Sequence, residues 1–172
     1  MQPAVPIDVD EMSGIWRTDG LPMVYLPRHF LVNNHLAVEA ALGRDVYRAI
    51  LRTATAKSAI EWCEAQVQGK GLDPEATFHH YFQRLSQRGW GQFSIDALAS
   101  RRGSISLRNS IFALEAGQGP GRRVCYMFEG FVTGAFSFLL GLAAPTQVEC
   151  EETYCACDGR HDHCRFDFAA KP

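Results

Sequence analysis

The spacing of the apolar residues changes once along this chain, close to Gly89. Before Gly89 they recur every three or four residues, which is typical of one helix face, and after it they alternate, which is typical of a half-buried strand. The first pattern predicts helices over residues 35–42, 46–67 and 75–87. The second predicts an antiparallel hairpin with strands over residues 90–99 and 104–112.

The longest apolar segment follows this hairpin. Residues 124–142 predict a helix that is apolar on nearly all faces, so it should be buried on most of them. Two more strands are predicted around a turn at Asp158-Gly159, over residues 147–154 and 164–168. Helices and hairpins in this order, without a strand–helix–strand alternation, indicate an α+β fold in which an antiparallel sheet packs against several helices.

The length favours one main domain, since 172 residues are ample for a single hydrophobic core. Residues 1–32, which are rich in Pro, Gly and Asp, are predicted as an extended N-terminal arm. Residues 33–172 are predicted as a ligand-binding domain. The arm either covers a pocket of that domain or docks elsewhere on it.

Charge and hydropathy exclude several classes of protein. The chain has 17 Lys and Arg against 19 Asp and Glu, without the cationic excess that nucleic acids attract, so no nucleic-acid partner is expected. The most apolar stretch, residues 131–145, is shorter than the ~20 residues of a membrane span, so no membrane association is expected. The first nine residues lack the features of a signal peptide, so we expect a cytoplasmic protein with reduced cysteines.

Metal-binding residue types are concentrated between Glu149 and Cys164, in the segment ECEETYCACDGRHDHC. This segment holds four cysteines and two histidines, and Cys125 adds a further thiol. Thiolates and imidazoles at short spacing around a glycine turn favour Zn²⁺. The other interpretation is a hairpin with buried, inert thiols. The spacing matches no common zinc-finger pattern, so it does not by itself select four ligands.

The C-terminal third resembles the 4-vinyl reductase domain. The resemblance rests on VCYMFEGFVTG at residues 124–134, on Gly141, and on the pattern ETYCxxxGxxxxCxF that begins at Glu152. Residues 89–91 and 109–113 also match, so the resemblance covers roughly residues 33–168. The same domain forms the aromatic-sensing module of phenol- and xylene-responsive transcription activators.

The resemblance implies one structural zinc ion held by Cys125, Glu152, Cys155 and Cys164. The chain departs from the sensor domains by one extra residue between Gly159 and Cys164 and by a longer connection before Glu152. Three other side chains therefore stay open as substitute ligands: Cys157, His161 and His163.

Geometry places one condition on this ligand set. Glu152 and Cys155 are three residues apart, so they would point to opposite sides of a flat strand. Both can bind one ion only if the chain bends after Thr153. A set of three thiolates and one carboxylate leaves no position for water, so the zinc would be structural and not catalytic.

The resemblance also implies a pocket for a small hydrophobic or aromatic molecule. The side chains predicted to line it are His79, Phe82, Trp90, Phe93, Phe112, Phe128 and Phe131. The alternative is that these rings form a plain aromatic core. A Trp that helps to hold the ligand hydroxyl in the phenol sensors is absent from the corresponding segment, Leu107 to Ser110, which argues against phenol itself. Glu129 either anchors a ligand with a raised pKa or lies on an exposed helix edge.

We interpret the chain as a zinc-stabilised sensor or carrier that acts through a partner protein. Related modules pair through helices, so a homodimer is expected, with residues 46–67 as its surface. The sequence carries no nucleophile or nucleotide-binding motif, so no catalytic residue is assigned. One alternative is a component of a tetrapyrrole vinyl reductase, which would gain support from an iron–sulfur cluster on Cys150, Cys155, Cys157 and Cys164. Another is a structural assembly subunit with a filled core.

Overall fold

A computed structural model describes residues 5–172 of the chain. The N-terminal part forms a three-stranded antiparallel meander, which consists of β1 (Asp8–Asp10), β2 (Ile15–Thr18) and β3 (Leu21–Met23). Three helices follow: α1 (Arg28–Leu42), α2 (Arg44–Lys70) and α3 (Pro74–Gln87). The start of α3 is fixed by Asp73, whose side chain accepts a hydrogen bond from the backbone N–H of Ala76.

The second half contains a four-stranded antiparallel sheet with the strand order β4-β5-β7-β6. Its strands are β4 (Gln92–Ala99), β5 (Arg102–Arg108), β6 (Val148–Tyr154) and β7 (Cys164–Ala170). Two helices connect the strands, α4 (Ile111–Glu115) and α5 (Met127–Leu139), with short 3₁₀ turns at Pro145–Gln147 and Ala156–Asp158. The predicted fold class, an antiparallel sheet packed against several helices, is confirmed.

Helix α5 is the centre of the core, as its apolar sequence predicts. Of its 13 residues, 10 are buried. Gly130 and Gly134 let its backbone lie directly against α2, where a Cβ atom on Gly134 would come within 2.8 Å of the Ala56 Cα. The helix is shorter than the predicted 124–142, because residues 124–126 form an irregular approach before Met127.

The N-terminal prediction needs correction. The described part of residues 1–32 is not simply extended, since it holds the meander and the first turn of α1, whereas residues 1–4 lie outside the described chain. Helix α1 begins at Arg28, and not at His35: Pro27 is its N-cap, and the Pro27 carbonyl oxygen accepts a hydrogen bond from the N–H of Leu31. The division at residue 32, which α1 crosses, stays a prediction.

The strand predicted over 104–112 ends early, at Arg108. Asn109 adopts a positive φ of 55°, which turns the chain out of the sheet. The Ser110 hydroxyl then accepts hydrogen bonds from the N–H groups of Phe112 and Ala113 and begins α4. The apolar alternation here was therefore misleading. None of the helices between residues 5 and 172 is both long and apolar enough to cross a membrane.

Candidate functional site

Four side chains from separate elements meet in one buried cluster beside the start of α5. They are Cys125, Glu152, Cys155 and Cys164, and one ligand atom from each lies within 4.8 Å of the others. Cys125 comes from the irregular segment before α5, Glu152 from β6, and Cys164 from the first position of β7. The structure thus brings together the four residues that the resemblance implied. We call them the metal cluster.

The bend required for this arrangement is present. The pairing of β6 with β7 shifts between Glu152, opposite Phe166, and Tyr154, opposite Arg165. Thr153 is the extra residue of this bulge, and such an insertion re-aims the side chains that follow it. Glu152 and Cys155 consequently face the same side of the chain.

The sulfur atoms are spaced as a tetrahedral zinc site needs. The Sγ atoms of Cys125 and Cys155 are 3.9 Å apart, those of Cys125 and Cys164 are 3.5 Å apart, and those of Cys155 and Cys164 are 3.4 Å apart. Zinc–sulfur bonds of about 2.3 Å in a tetrahedron place sulfurs about 3.8 Å apart, whereas a disulfide brings them to about 2 Å. All six cysteines of the chain are free thiols.

Glu152 is oriented toward these thiols with one oxygen unsatisfied. Its Oε2 accepts a hydrogen bond from the Cys125 backbone N–H at 3.0 Å. Its Oε1 is buried and finds no hydrogen-bond partner in the part of the chain that the structure describes. A buried carboxylate oxygen without a partner is unfavourable, and a bound cation would satisfy it. The residues present therefore fit a zinc ion.

The protonation of the cluster depends on its burial. Burial raises the pKa of the Cys125 thiol and of the Glu152 carboxyl well above their usual values. The thiols of Cys125 and Cys164 donate to Cys155 and lower the pKa of Cys155. Without a metal the site therefore holds protons on most of its ligands, and a divalent cation would replace those protons.

Cys157 is adjacent to the metal cluster but is not one of its four members. Its Sγ lies 3.3 Å from that of Cys155 and donates to the Arg122 carbonyl oxygen at 3.2 Å. Burial raises the pKa of Cys157 to about 12. Cys157 thus supports the loop as a thiol, and its sulfur lies so near the cluster that its role as a substitute ligand stays a prediction. Cys150, a member of the alternative iron–sulfur set, lies outside the metal cluster.

The two histidines of this segment lie at the surface around Tyr154. His161 stacks on the Tyr154 ring, and its Nδ1 lies 2.7 Å from the Asp158 carboxylate. His163 Nε2 lies 3.0 Å from the Tyr154 hydroxyl. Because the structure places both rings in other contacts, neither belongs to the four-residue group.

Glu129 occupies neither of the two predicted environments. It is buried, with only 1% of its side chain exposed, and it forms an ion pair with Arg48. Its Oε1 also accepts the backbone N–H of Glu152 at 2.9 Å. This carboxylate therefore holds the strand segment that carries a metal-cluster residue. Sequence reasoning missed this role because the partner lies on a distant helix.

Six of the seven side chains predicted to line a pocket form one continuous set of rings, with centroid separations of 5.4 to 6.0 Å along the contacts that join them. Phe128 is its centre and contacts four of the other rings. Trp90 and Phe93 are half-buried and form its outer rim. We call this set the aromatic cluster; its members are Phe82, Trp90, Phe93, Phe112, Phe128 and Phe131.

The seventh residue, His79, is exposed and outside the aromatic cluster. A different histidine, His35 on α1, is buried beside it, with 2% of its surface exposed. Its ring centroid lies 4.4 Å from that of Phe112, yet neither ring nitrogen has a hydrogen-bond partner among the described residues. Sequence reasoning missed His35, because a lone histidine within a helical pattern carries no signal of its own.

Two surface cavities within residues 5–172 are lined by residues other than those of the aromatic cluster. The larger, an open groove of about 1130 Å³, lies along the outer side of β5–β7 and the edge of β6. The smaller, of about 400 Å³, lies between the meander and helices α2 and α3. The rings of the aromatic cluster pack directly against one another.

The family model described as "Domain of unknown function (DUF5943)" matches residues 1–96. The chain belongs to this DUF5943 family. The match covers the meander, the first three helices and part of β4, and it ends before the metal cluster. It does not name the 4-vinyl reductase domain. Comparison with curated proteins gives no match.

Two solved structures share the fold of this DUF5943 chain. The phenol-responsive sensory domain of the transcription activator PoxR, solved with phenol, has a TM-score of 0.77 at 17% identity, covering 95% of this chain and 84% of that one. A trafficking protein particle complex subunit 3 from Naegleria fowleri, covalently bound to palmitic acid, has a TM-score of 0.59 at 15% identity. That match covers 84% of this chain and 95% of the subunit. The chain thus has the fold of an aromatic-sensing domain.

Proposed function

We propose that this protein is a zinc-stabilised module that binds a small hydrophobic or aromatic molecule and acts as a sensor or carrier. The observation that carries the proposal is the joint placement of the two clusters. Cys125 of the metal cluster and Phe128 at the centre of the aromatic cluster are three residues apart at the start of α5. A metal cluster that fixes the start of α5 therefore also helps to fix the position of the aromatic cluster.

The zinc in this proposal is structural. Cys125 would bind the ion from the start of α5, Glu152 from β6 and Cys164 from β7. The ion would therefore link three elements that are not adjacent in the sequence. Zinc supplies folding free energy at such a site, on the order of 10–16 kcal/mol in finger peptides. Because the stability of a whole domain is about 5–15 kcal/mol, loss of the metal should unfold or loosen the C-terminal half.

The ligand in this proposal is a small aromatic molecule with one polar group. The aromatic cluster offers ring contacts, and the half-buried Trp90 and Phe93 form the side from which a ligand would enter. His35 would pair with its polar group, because a neutral imidazole has one donor and one acceptor and both lack partners here. A hydroxyl group can satisfy either nitrogen. Since the rings are in contact, ligand entry requires some of them to move.

We further propose that two copies pair through the first turns of α2, in a cytoplasmic setting with an effector protein as partner. Val46 and Ile50 are one turn apart on α2, and each has about half of its surface exposed. Leu42 at the end of α1 is also about half exposed. Sedimentation of Val46→Asp against an exposed control, Leu114→Asp, tests the pairing, and an unchanged dimer in Val46→Asp would contradict it.

The metal is tested by elemental analysis of protein purified without added metal. We expect one zinc per chain, which should be absent from Cys155→Ala and Cys164→Ala and retained in the buried control Cys150→Ala. Iron with sulfide would favour the redox alternative instead. Equal zinc in all three variants would contradict the assignment of the ligands.

The ligand is tested by native mass spectrometry of the same sample and by titration with 4-methylphenol. Addition of 4-methylphenol should change the melting temperature of the protein. This change should be smaller in Phe93→Ala and should be unaffected in the exposed control, Leu114→Ala. Absence of any response to aromatic compounds, in protein that carries its zinc, would favour a structural subunit with a filled core.

A further inference from the structure

Asp19 is the common partner of three cationic side chains. Its carboxylate lies 2.9 Å from Lys70 Nζ, 3.1 Å from an Arg84 nitrogen and 2.9 Å from an Arg88 nitrogen, and only 3% of the Asp19 side chain is exposed. Burial acts to raise the pKa of Asp19, but its three cationic partners lower it below the usual value. One carboxylate balances one of the three charges, so the group retains an excess of two positive charges.

This charge excess borders the smaller cavity. The cavity has a volume of about 400 Å³ and lies between the turn that carries Asp19, the end of α2 and α3. Lys70 and Arg84 line it directly. The Lys70 side chain is 38% exposed, so the cavity is open to solvent on that side. The exposed Asp8 also lines it and is the other acidic side chain there.

Gln66 provides a second, independent feature of the cavity wall. Its side chain is almost fully buried, with 1% exposed, and its Nε2 donates to the Asp19 carbonyl oxygen at 3.1 Å. Its Oε1 has no hydrogen-bond partner within residues 5–172. A buried amide oxygen without a donor costs about 1–3 kcal/mol, so this wall lacks a hydrogen-bond donor. The alternative is that these ion pairs only hold the meander against α2 and α3. That alternative explains neither the unpaired Gln66 Oε1 nor the two excess positive charges around Asp19.

We propose that the cavity binds a small oxyanion that keeps one hydroxyl group, the chemistry of hydrogenphosphate. Lys70 and Arg84 bind its charged oxygens, and the hydroxyl donates to Gln66 Oε1. The cavity shares no residue with the metal cluster or the aromatic cluster. The anion proposal is therefore independent of the proposed zinc and aromatic ligand. The anion site could fail its test while the proposed function holds, and the reverse is also true.

The choice of anion is itself a test. Hydrogenphosphate and sulfate are similar in size and charge, but sulfate carries no proton at neutral pH and cannot donate to Gln66. Calorimetric titration of the full chain at pH 7.5 and constant ionic strength should show saturable phosphate binding, at least tenfold tighter than sulfate binding. No saturable heat up to about 10 mM phosphate, or equal affinity for the two anions, would overturn the proposal.

Three variants assign the binding to these residues. Lys70→Met should weaken phosphate binding at least tenfold, and Gln66→Met should abolish the preference for phosphate over sulfate. Lys57→Met is the control for charge, because Lys57 is on the same helix and 79% exposed. An equal loss in Lys57→Met would show non-specific attraction and refute the site.

A measurement on the unmodified protein keeps the test independent of folding defects in the variants. His80 Nε2 lies 3.2 Å from Lys70 Nζ. Burial lowers the pKa of His80, and the charges of Lys70 and Arg84 lower it further. A bound anion should offset those charges and raise the pKa of His80, as observed by proton NMR in phosphate against chloride. An unchanged His80 titration would count against the site.

Discussion

Arg48 and Glu129 form a bidentate ion pair, in which Nε donates to Oε2 and Nη2 donates to Oε1, both at 2.7 Å. The same Oε1 accepts the N–H of Glu152 on β6, which is an edge strand. Arg52, one turn further along α2, donates to the Val148 carbonyl oxygen of that strand at 2.9 Å. Side chains of α2 and α5 thus bind backbone groups where a neighbouring strand would otherwise pair, which protects the edge.

Removal of both partners of this pair should cost less than the sum of the two single removals. Arg48→Met leaves the buried Glu129 carboxylate unpaired, and loss of one member of a buried pair costs up to about 3–5 kcal/mol. Because Arg48 is partly exposed, we expect a smaller loss, about 2–3 kcal/mol, in urea unfolding at pH 7. Arg48→Met with Glu129→Met should lose less than the two single variants together. Additive losses would mean that the pair does not act as a unit. Lys57→Met, at an exposed pair, should change stability by under about 1 kcal/mol.

The contact between α2 and α5 should not tolerate a methyl group. A Cβ atom at Gly134 would meet backbone atoms of Ala56, which cannot move without displacing α2. Gly134→Ala should therefore destabilise the protein by about 1–3 kcal/mol, measured as the free energy of unfolding. The matched control is Gly69→Ala in α2, where a Cβ meets nothing within 4 Å and a gain of up to about 1 kcal/mol is expected. Equal effects of the two substitutions would contradict the close approach of the helices.

Zinc affinity should depend on the Glu152 carboxylate of β6 and not on the Glu149 carboxylate of the same strand. Glu152→Gln replaces the buried ligand by a neutral amide, and the affinity measured by chelator competition should fall by more than the roughly 10–100-fold that loss of an outer-sphere partner costs. Glu149→Gln, on the same strand but largely exposed, should keep the wild-type affinity. If the two variants bound zinc equally, Glu152 would not be a ligand.

His35 should make the stability depend on pH. Burial lowers the pKa of His35, although nearby Glu39 acts to raise it. Below the ordinary histidine pKa of about 6.5 the unfolded chain binds a proton that the folded chain excludes, so the free energy of unfolding decreases as the pH falls. The contribution of one proton is at most about 1.4 kcal/mol per pH unit. His35→Phe should reduce this slope between pH 6.5 and 5, and an identical slope would contradict the prediction.

Apolar spacing was enough to predict the sheet and the buried helix α5, and the resemblance to the 4-vinyl reductase domain predicted which residues form the metal cluster. Glu152 and Cys155 gave a particularly specific test, because their three-residue spacing required a bend that the bulge at Thr153 provides. The four residues of the metal cluster could be named in advance from the family resemblance, because each of them sits in a local motif, and the structure brings them together. Glu129 had no such motif, since its partner Arg48 lies 81 residues earlier in the chain.

The predictions for the N-terminal arm and for the strand through residue 112 were wrong for related reasons. Short elements are fixed by backbone conformation and by contacts with distant parts of the chain, and apolar spacing reports neither. The strands of the meander are three or four residues long and carry no clear alternation. They are held by Asp19, whose partners lie on α2 and α3. Similarly, the strand predicted through residue 112 ended because of the backbone of Asn109, a conformation that apolar spacing does not report.

The strand order β4-β5-β7-β6 places the last-synthesised strand of the sheet in an interior position. Until β7 is available, the β4–β5 hairpin and β6 each lack a partner on the edge that β7 occupies in the folded sheet. The same strand brings Cys164, so the metal cluster is complete only when β7 has joined the sheet. Sheet closure and assembly of the metal cluster should therefore occur together and late in folding, and chains that lack β7 should be the form most prone to aggregate.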